Sequence, residues 1–243
     1  MLLTGATSGL GLALARLYAS KGAPLVLVGR KPLSELDAFF TPQNYCQADL
    51  SEPNSVDAIL EHLNNARAEY LELLIHNAGV GLYGDASAHS DEEVARLLGV
   101  NLFAPIALTH ALAVRTKKVV FISSVVADVP APEYAVYGSS KAALDAFARN
   151  LRLEARGAPQ VQTIHPGAIR TPMHAKSGVP EGTFNVERFP SAEEVAEEVF
   201  RAISGNRDDV TIGVNNKVLR FAGTYLAGPL DTLMRRRAKR SKG

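Results

Sequence analysis

Short hydrophobic runs alternate along this chain with longer segments whose apolar positions recur with a helical period. Runs that are apolar at consecutive positions are typical of strands in a parallel sheet covered on both faces. Six such runs and one shorter candidate predict seven strands, at Met1–Leu3, Leu25–Val28, Asn44–Cys46, Leu71–Ile75, Val119–Ile122, Val161–Ile164 and Val210–Ile212.

Amphipathic segments fill most of the intervals between these runs and predict five helices, at Leu10–Ala19, Val56–Ala66, Asp91–Val114, Tyr134–Arg156 and Ala192–Ile203. Alternation of strands with helices indicates right-handed βαβ units, which assemble into a doubly wound sheet. No internal repeat or low-complexity linker divides the sequence. The sequence therefore predicts an α/β fold: a single Rossmann-like domain over residues 1–243, with one mostly parallel sheet and helices on both faces.

Residues 166–190 interrupt the alternation, because they hold four prolines and three glycines without a strand pattern. A loop of that length inside a compact domain is usually functional. We therefore predict a substrate lid over residues 172–190. Its side chains predict an apolar pocket with an anionic contact: Met173, Lys176, Val179, Phe184 and Arg188.

The C-terminal residues 235–243 form a basic tail, with six Lys or Arg among residues 235–242. The segment before the tail is amphipathic but interrupted by Gly223, Gly228 and Pro229. We favour a helix that packs on the substrate pocket or on a neighbouring subunit and ends in a solvated run of charges. The alternative is contact with an anionic membrane surface, because basic amphipathic segments bind acidic lipids.

Composition excludes several classes of protein. The chain has 243 residues, of which 47% are hydrophobic, and a formal net charge of +1. A disordered chain would be less apolar, and binding of nucleic acid would require an excess of basic residues. The single cysteine, Cys46, excludes an internal disulfide framework and a multi-cysteine metal centre. We expect the protein to bind neither a metal ion nor nucleic acid, to have no targeting leader and to be cytoplasmic.

A glycine-rich turn joins the first predicted strand to the first predicted helix, with the sequence Thr4-Gly5-Ala6-Thr7-Ser8-Gly9-Leu10-Gly11. Glycines there let the backbone approach a pyrophosphate, and the N–H groups at the start of a helix bind anions. The spacing differs from the common G-x-G-x-x-G, so its position between strand and helix carries the interpretation. We predict a dinucleotide site at this turn rather than a plain glycine-rich turn.

The end of the second predicted strand indicates which dinucleotide is bound. An acidic residue at this point would bind the ribose 2′-hydroxyl of NAD. The chain instead has Arg30 and Lys31 there. An arginine can bind a 2′-phosphate through two hydrogen bonds, whereas a carboxylate would repel it. The sequence therefore favours NADP(H) over NAD(H).

Tyr137 and Lys141 open the fourth predicted helix four residues apart, so their side chains share one face. A nearby cation favours the phenolate, so we expect Lys141 to lower the pKa of Tyr137 from its ordinary value near 10. A phenol adjusted in this way is a usable general acid or base.

Polar or glycine-containing turns follow three other predicted strands at the carboxyl edge where ligands bind. These turns are Ser123-Ser124, His76-Asn77-Ala78-Gly79 and His165-Pro166-Gly167, the last continuing as Ala168-Ile169-Arg170-Thr171. Asn101 lies within the long third predicted helix.

Taken together, these motifs resemble the short-chain dehydrogenase/reductase family, in its subclass of shorter chains, over Met1 to Thr171 in the family's order and spacing. The resemblance implies that Ser124, Tyr137, Lys141 and Asn101 form the catalytic tetrad and that Ser123 is a structural neighbour. It implies that Asp49, next to Leu50, accepts the adenine amino group. The other cofactor-binding residues that we predict are Thr4, Gly5, Ser8, Gly9, Leu10, Gly11, Arg30, Lys31, Asn77, Ala78, Gly79, Pro166, Gly167, Ile169 and Thr171.

The family's chemistry implies hydride transfer between nicotinamide and a carbonyl or secondary alcohol, with Tyr137 as general acid or base. Ser124 would bind the carbonyl oxygen, and Lys141 would bind the ribose and pass protons to a water held by the Asn101 carbonyl. The resemblance also implies a homodimer or homotetramer. Two alternatives stay open: an NAD-dependent alcohol dehydrogenase, and a catalytically silent dinucleotide-binding sensor or scaffold.

Three features depart from the family pattern. His76 stands where the family has an asparagine, and we expect it to alter a hydrogen bond at the strand end. His165 is expected to be a residue of the strand end and not a base. The first predicted strand has only three residues before Thr4, which indicates either an upstream start or a short central strand.

Overall fold

One parallel sheet organises the protein, whose structure is a computed structural model describing residues 1–154, 159–232 and 234. Its strands are β1 (Leu2–Thr4), β2 (Val26–Gly29), β3 (Tyr45–Gln47), β4 (Leu74–His76), β5 (Lys118–Ile122), β6 (Gln160–His165) and β7 (Asp209–Thr211). Their order is β3-β2-β1-β4-β5-β6-β7, and every neighbouring pair is parallel. The winding reverses between β1 and β4, so a ligand crevice is expected where the turns after these two strands meet.

The seven predicted strands are all present, with their ends displaced by up to three residues. The largest displacement is in β4, which begins at Leu74 and not at Leu71. Leu71 instead forms an isolated bridge with Thr116 before the two strands converge. The prediction of a Rossmann-like α/β fold is confirmed.

Helices connect the strands and cover both faces of the sheet. They are α1 (Gly9–Ser20), α2 (Ser55–Asn65), α3 (Asp91–Leu98), α4 (Ala104–Leu112), α5 (Ala135–Glu154), α6 (Met173–Lys176), α7 (Ala192–Ser204) and α8 (Val214–Tyr225). Residue 156, the predicted end of the fourth helix, lies outside the described residues.

Alternate side chains of the strands enter two separate cores. Leu3 packs in the core beneath α1 and α7, whereas Leu2 packs in the core beneath α2, α4 and α5. Both leucines are completely buried. Because successive side chains of a strand point to opposite faces, consecutive apolar residues are what a sheet covered on both sides requires.

The third predicted helix is divided by a π-helical segment, Gly99–Phe103, between α3 and α4. Pro105 lies one residue into α4 and has no N–H. An α-helical hydrogen bond from residue 105 to the Asn101 carbonyl therefore cannot form. Bulges of this kind often occur at functional sites, and this one contains the predicted catalytic Asn101.

Among the described residues, the continuous helical run Asp91–Arg115 is long and apolar enough to cross a membrane, judged by length and composition alone. Its side chains Leu97, Leu108 and Leu112 are buried against the core. That burial is what a core helix of this fold requires.

The predicted lid contains the short helix α6 and a 3-10 turn at Val186–Arg188, so it is not without regular structure. The amphipathic C-terminal segment forms α8, which ends before Leu226 and is followed by helical residues 227–232. The predicted interruption is present, but it falls at Leu226, whereas Gly223 lies within α8 and Gly228 and Pro229 are helical. The basic tail, residues 235–243, lies outside the described residues.

Candidate active site

Close packing explains the glycines of the opening turn. Gly5 has a φ of +69°, and a Cβ there would lie 2.7 Å from the Ala78 Cα. A Cβ on Gly11 would lie 2.1 Å from the Gly5 carbonyl oxygen. Any side chain at these two positions would therefore displace backbone, because glycine alone fits so close an approach.

Hydrogen bonds of Thr4 connect the opening turn to the turn after β4. Its hydroxyl accepts hydrogen bonds from the N–H groups of Asn77 and Ala78, each at 3.1 Å. The Asn77 amide returns hydrogen bonds to the carbonyls of Thr4 and Gly5, at 3.0 Å and 3.2 Å. The two turns on either side of the crevice therefore form one hydrogen-bonded unit.

The start of α1 is suited to an anion. Ser8 is its N-cap residue, but the Ser8 side chain makes no capping hydrogen bond, and the first turn contains no acidic residue. The free N–H groups of such a helix end attract phosphate. The predicted residue Leu10 is different, because its side chain is buried in the core beneath α1, so only its backbone is available to a ligand.

Two basic side chains follow β2 beside the predicted adenosine end of the crevice. Arg30 and Lys31 are both exposed. Asp49 accepts hydrogen bonds from the N–H and hydroxyl of Ser51, at 3.0 Å and 2.7 Å. Burial opposes ionisation of Asp49, but these bonds and the charges of Arg96 and Arg30 hold its pKa below the ordinary value.

Leu50, the neighbour of Asp49, is buried in the core beneath α2. Its side chain is therefore part of the packing and does not face the crevice as a cofactor contact.

Ser124, Tyr137 and Lys141 come together beyond the end of β5. The Ser124 side chain hydrogen-bonds the Tyr137 phenol. The Lys141 ammonium lies 5.9 Å from the centre of the Tyr137 ring and donates to the Ile122 carbonyl at 3.0 Å. The structure thus gathers the serine, the tyrosine and the lysine that the sequence predicted to act together.

The expected pKa of Tyr137 is corrected by the structure. Burial raises the pKa of the phenol to about 12, although the Ser124 hydrogen bond acts in the opposite direction. Burial also lowers the pKa of Lys141 to about 8, partly offset by Asp145. Desolvation disfavours the charged form of both groups and outweighs the attraction between a phenolate and a nearby ammonium.

Asn101 is completely buried, and its hydrogen bonds hold the backbone and side chains beside Lys141 in place. Its amide makes two hydrogen bonds with the backbone of Val80, at 2.8 Å and 2.9 Å, and a third with the Ser140 hydroxyl at 3.0 Å. A Cβ on Gly79 would lie 3.5 Å from the Lys141 Nζ and 3.6 Å from the Asn101 Oδ1. Gly79, Asn101 and Lys141 therefore converge, as predicted for one site.

The segment after β6 crosses from the catalytic group to the glycine turn. The Pro166 carbonyl accepts a hydrogen bond from Val125 at 3.0 Å, and Gly167 packs closely against the Asn216 amide. A Cβ on Gly9 would lie 3.0 Å from the Thr171 Cγ2. The partly buried side chain of Ile169 packs against the core beneath α1. Thr171 therefore packs against the glycine turn.

His76 is a buried histidine of the strand end, as the sequence indicated. Its Nε2 lies 2.8 Å from the Thr109 hydroxyl, and its ring stacks on Phe121 with centroids 4.9 Å apart. Burial lowers the pKa of His76 to about 3. The residue is therefore neutral and structural.

A wall of aromatic side chains lies beside Tyr137 and was not predicted from the sequence. Tyr134 lies edge-on to Tyr137, with centroids 5.8 Å apart, and Tyr83 lies edge-on to Tyr134 at 5.2 Å. The Tyr83 hydroxyl donates to the Glu133 carboxylate, and Phe184 of the lid adds a third edge contact. The spacing of Tyr134 and Tyr137 on one helix was the available signal, whereas Tyr83 is distant in sequence.

Sheet order, glycine turn and the group at the end of β5 define a nucleotide-binding oxidoreductase, and comparison with known proteins agrees. Residues 1–181 match the family model described as short chain dehydrogenase. The chain belongs to the short-chain dehydrogenase/reductase family.

Relatives in the family come from animals and bacteria. The chain is 32% identical over 234 residues to mouse dehydrogenase/reductase SDR family member 7B, covering 87% of this chain and 72% of that protein. It is 29% identical to an uncharacterized oxidoreductase of Staphylococcus epidermidis, covering 86% of this chain and 94% of that protein.

Solved structures show the same fold with either nucleotide. A short-chain dehydrogenase from Sphingobium yanoikuyae in complex with NADPH superposes with a TM-score of 0.77 at 27% identity, covering 99% of this chain and 94% of that one. A family member from Burkholderia phymatum in complex with NAD has a TM-score of 0.73 at 24% identity, covering 86% and 87%. The fold is therefore shared by proteins that bind different dinucleotides.

Proposed function

We propose that the protein is an NADP(H)-dependent oxidoreductase that interconverts a carbonyl group and a secondary alcohol. The observation that carries the proposal is the convergence of Ser124, Tyr137 and Lys141 at the edge of the sheet where the glycine turn opens. A silent sensor or scaffold has no use for this complete set of groups.

The crevice fits a dinucleotide on its own geometry. Gly5 and Gly11 leave room that any Cβ would fill, and the uncapped start of α1 offers N–H groups to a pyrophosphate. Exposed Arg30 and Lys31 provide positive charge for a 2′-phosphate. When bound, the nicotinamide supplies or accepts the hydride.

The chain's own groups provide binding and proton transfer. Ser124 and Tyr137 donate hydrogen bonds to the carbonyl oxygen and stabilise the negative charge that develops on it. Tyr137 then donates its proton. A phenol with a pKa of about 12 stays protonated at neutral pH, which suits a donor in the direction of carbonyl reduction.

Tyr137 would regain its proton through Lys141 and a water held by the Asn101 carbonyl. Lys141 lies against the Tyr137 ring and would bind the ribose hydroxyls. Pro105 cannot donate an α-helical bond to the Asn101 carbonyl, which supports a role of that carbonyl in holding a water.

A panel of carbonyl compounds tests the proposed reaction. Small ketones, aldehydes and quinones are incubated with NADPH or NADH, and oxidation is followed by nicotinamide absorbance. We expect turnover of an apolar member of the panel, because the wall beside the site is aromatic, and faster turnover with NADPH. Tight binding of NADPH without its oxidation by any carbonyl compound would instead support the silent sensor. Faster turnover with NADH would support the NAD-dependent dehydrogenase.

We also propose a cytoplasmic homodimer or homotetramer formed through the helices after Asn101 and around Tyr137. Three large apolar side chains are exposed there, Phe103 at 60%, Val114 at 94% and Leu153 at 78%. Burial of such side chains against a partner would be favourable. Light scattering is expected to give two or four times the 26.0 kDa chain mass, and a Phe103→Ser variant to lower it; a monomeric wild type would contradict the assignment.

The outer face of α8 carries a second exposed apolar stripe, formed by Val214, Val218, Phe221 and Tyr225. These residues recur every three or four positions and so share one helix face. We propose that this stripe contacts a neighbouring subunit. Co-sedimentation with vesicles of anionic and neutral lipid, at low and high salt, tests the proposal: we expect no binding, whereas salt-sensitive binding to anionic vesicles alone would assign a membrane surface.

A further inference from the structure

A chain of charged side chains lies behind the catalytic group and has no part in the mechanism described so far. We name it the charge chain; its members are Asp145 of α5, His165 of β6, Asp209 of β7, Arg220 of α8 and Asp128 after the 3-10 turn Val125–Ala127. Charged groups are rarely placed inside a domain unless they are paired, and such groups cluster at functional sites.

His165 lies at the centre of the charge chain. It is completely buried, and each of its ring nitrogens faces a carboxylate: Nδ1 lies 3.4 Å from Asp145 and Nε2 lies 3.0 Å from Asp209. The Nε2 contact is a hydrogen bond, whereas Nδ1 and one Asp145 oxygen have no hydrogen-bond partner among the described residues. His165 therefore lies between two carboxylates behind the catalytic group, whereas His76 contacts the uncharged Thr109 hydroxyl.

Arg220 closes the outer end of the charge chain. Its guanidinium contacts the Asp209 carboxylate, and its Nε lies 2.5 Å from Asp128. Atoms of Asp128, Asp145 and His165 lie within 4.8 Å of one another, a spacing that could hold a metal ion. Because Arg220 already places a cation between Asp128 and Asp209, we interpret the cluster as ion pairs.

Asp145 connects the charge chain to the catalytic residues through Lys141. It follows Lys141 by four residues on α5, so the two side chains are neighbours on one helix face, and Lys141 is buried there. The negative charge of Asp145 favours the charged form of Lys141.

We propose that Asp145 is a positioning residue for the reaction: paired with His165, it keeps Lys141 protonated behind Tyr137 and thereby sets the alkaline limit of turnover. The proposal rests on the proposed function for its link to catalysis. The groups that face Asp145 from the surrounding elements are Lys141, Ser123, His165, Asp209, Asp128 and Arg220.

The direction of the effect follows from the charges. Burial lowers the pKa of Lys141 to about 8, and Asp145 opposes this shift. Removal of the Asp145 charge must lower the pKa of Lys141 further, so the lysine loses its proton at a lower pH. Turnover that requires the ammonium is then lost at a lower pH as well.

The test is a pH titration of Lys141 by NMR in the full-length protein labelled at its lysines, with the signal assigned by Lys141→Met. In Asp145→Asn we expect the midpoint to fall by about one pH unit, the size of a single nearby charge. Asp145→Glu, which keeps the charge, and Asp208→Asn, which removes a half-exposed carboxylate just before β7 at the amino ends of the strands, are expected to keep the wild-type midpoint.

Activity gives the second readout. The alkaline limb of kcat/KM for carbonyl reduction is expected to move with the Lys141 midpoint in each variant. Should Asp145→Asn not fold, Asp145→Ser, which also removes the carboxylate, is expected to lower the midpoint in the same way. An unchanged midpoint in the folded variants overturns the proposal. A wild type without turnover overturns the proposed function alone, because the NMR midpoint still decides the role of Asp145.

Discussion

Replacement of Tyr137 by phenylalanine is expected to lower kcat for carbonyl reduction by about 10²–10⁴-fold, the range that general acid catalysis contributes. The variant keeps the ring that lies against Lys141 and loses only the hydroxyl that hydrogen-bonds Ser124. Binding of NADPH, measured by nucleotide fluorescence, is expected to stay largely intact, because the glycine turn and Arg30 are unchanged.

Tyr18→Phe is the matched control for this experiment. Tyr18 is also a buried tyrosine whose pKa is raised to about 12 by burial, but it lies on α1 against Phe200 in the core. Its loss of a hydroxyl is expected to leave turnover near the wild-type rate. Wild-type rates in Tyr137→Phe would refute the assignment of the general acid.

Arg30→Asp is expected to reverse the preference for nucleotide. The change removes a charged donor to the 2′-phosphate and introduces a carboxylate that repels it and can bind a ribose 2′-hydroxyl. A hydrogen bond to a charged group contributes about 1.5–3 kcal/mol, so the loss for NADPH is roughly 10- to 150-fold in kcat/KM. The ratio of kcat/KM for NADPH to that for NADH is the measurement.

Arg207→Asp controls for the change of net charge. Arg207 is exposed and precedes β7, so it lies at the amino ends of the strands, opposite the crevice. This variant carries the same charge difference and is expected to keep the wild-type ratio. A ratio that barely changes in Arg30→Asp would favour the NAD-dependent dehydrogenase.

The strands and the glycine turn were predictable because local rules govern them. Leu2 and Leu3 both had to be apolar once the sheet was covered on two faces. Gly5 and Gly11 had to lack side chains because backbone approaches both positions. Tyr137 and Lys141 were predictable as neighbours because four residues complete about one helical turn.

The remaining features depend on contacts between distant segments. The charge chain joins residues of α5, β6, β7 and α8, and no local pattern marks Asp145 or Arg220 as partners of His165. The pKa of Tyr137 depends on burial in the finished fold, so the predicted lowering of that pKa is wrong. The π-helical segment was not predicted, because the periodicity alone indicated one continuous helix. The effect of Pro105 becomes evident only when the residue is placed near the start of α4.

We propose above all that a hydride passes between a nucleotide in the crevice and a carbonyl carbon that Ser124, Tyr137 and Lys141 bind and activate. The most direct measurement uses NADPH deuterated at the transferable position of the nicotinamide C4, with a ketone that the protein reduces, and mass spectrometry of the alcohol. We predict one deuterium on the carbinol carbon of the product, and about 10²–10⁴-fold less labelled alcohol from Tyr137→Phe in the same time. Alcohol formed without the label, or equal amounts of labelled alcohol from the two proteins in the same time, would contradict the account.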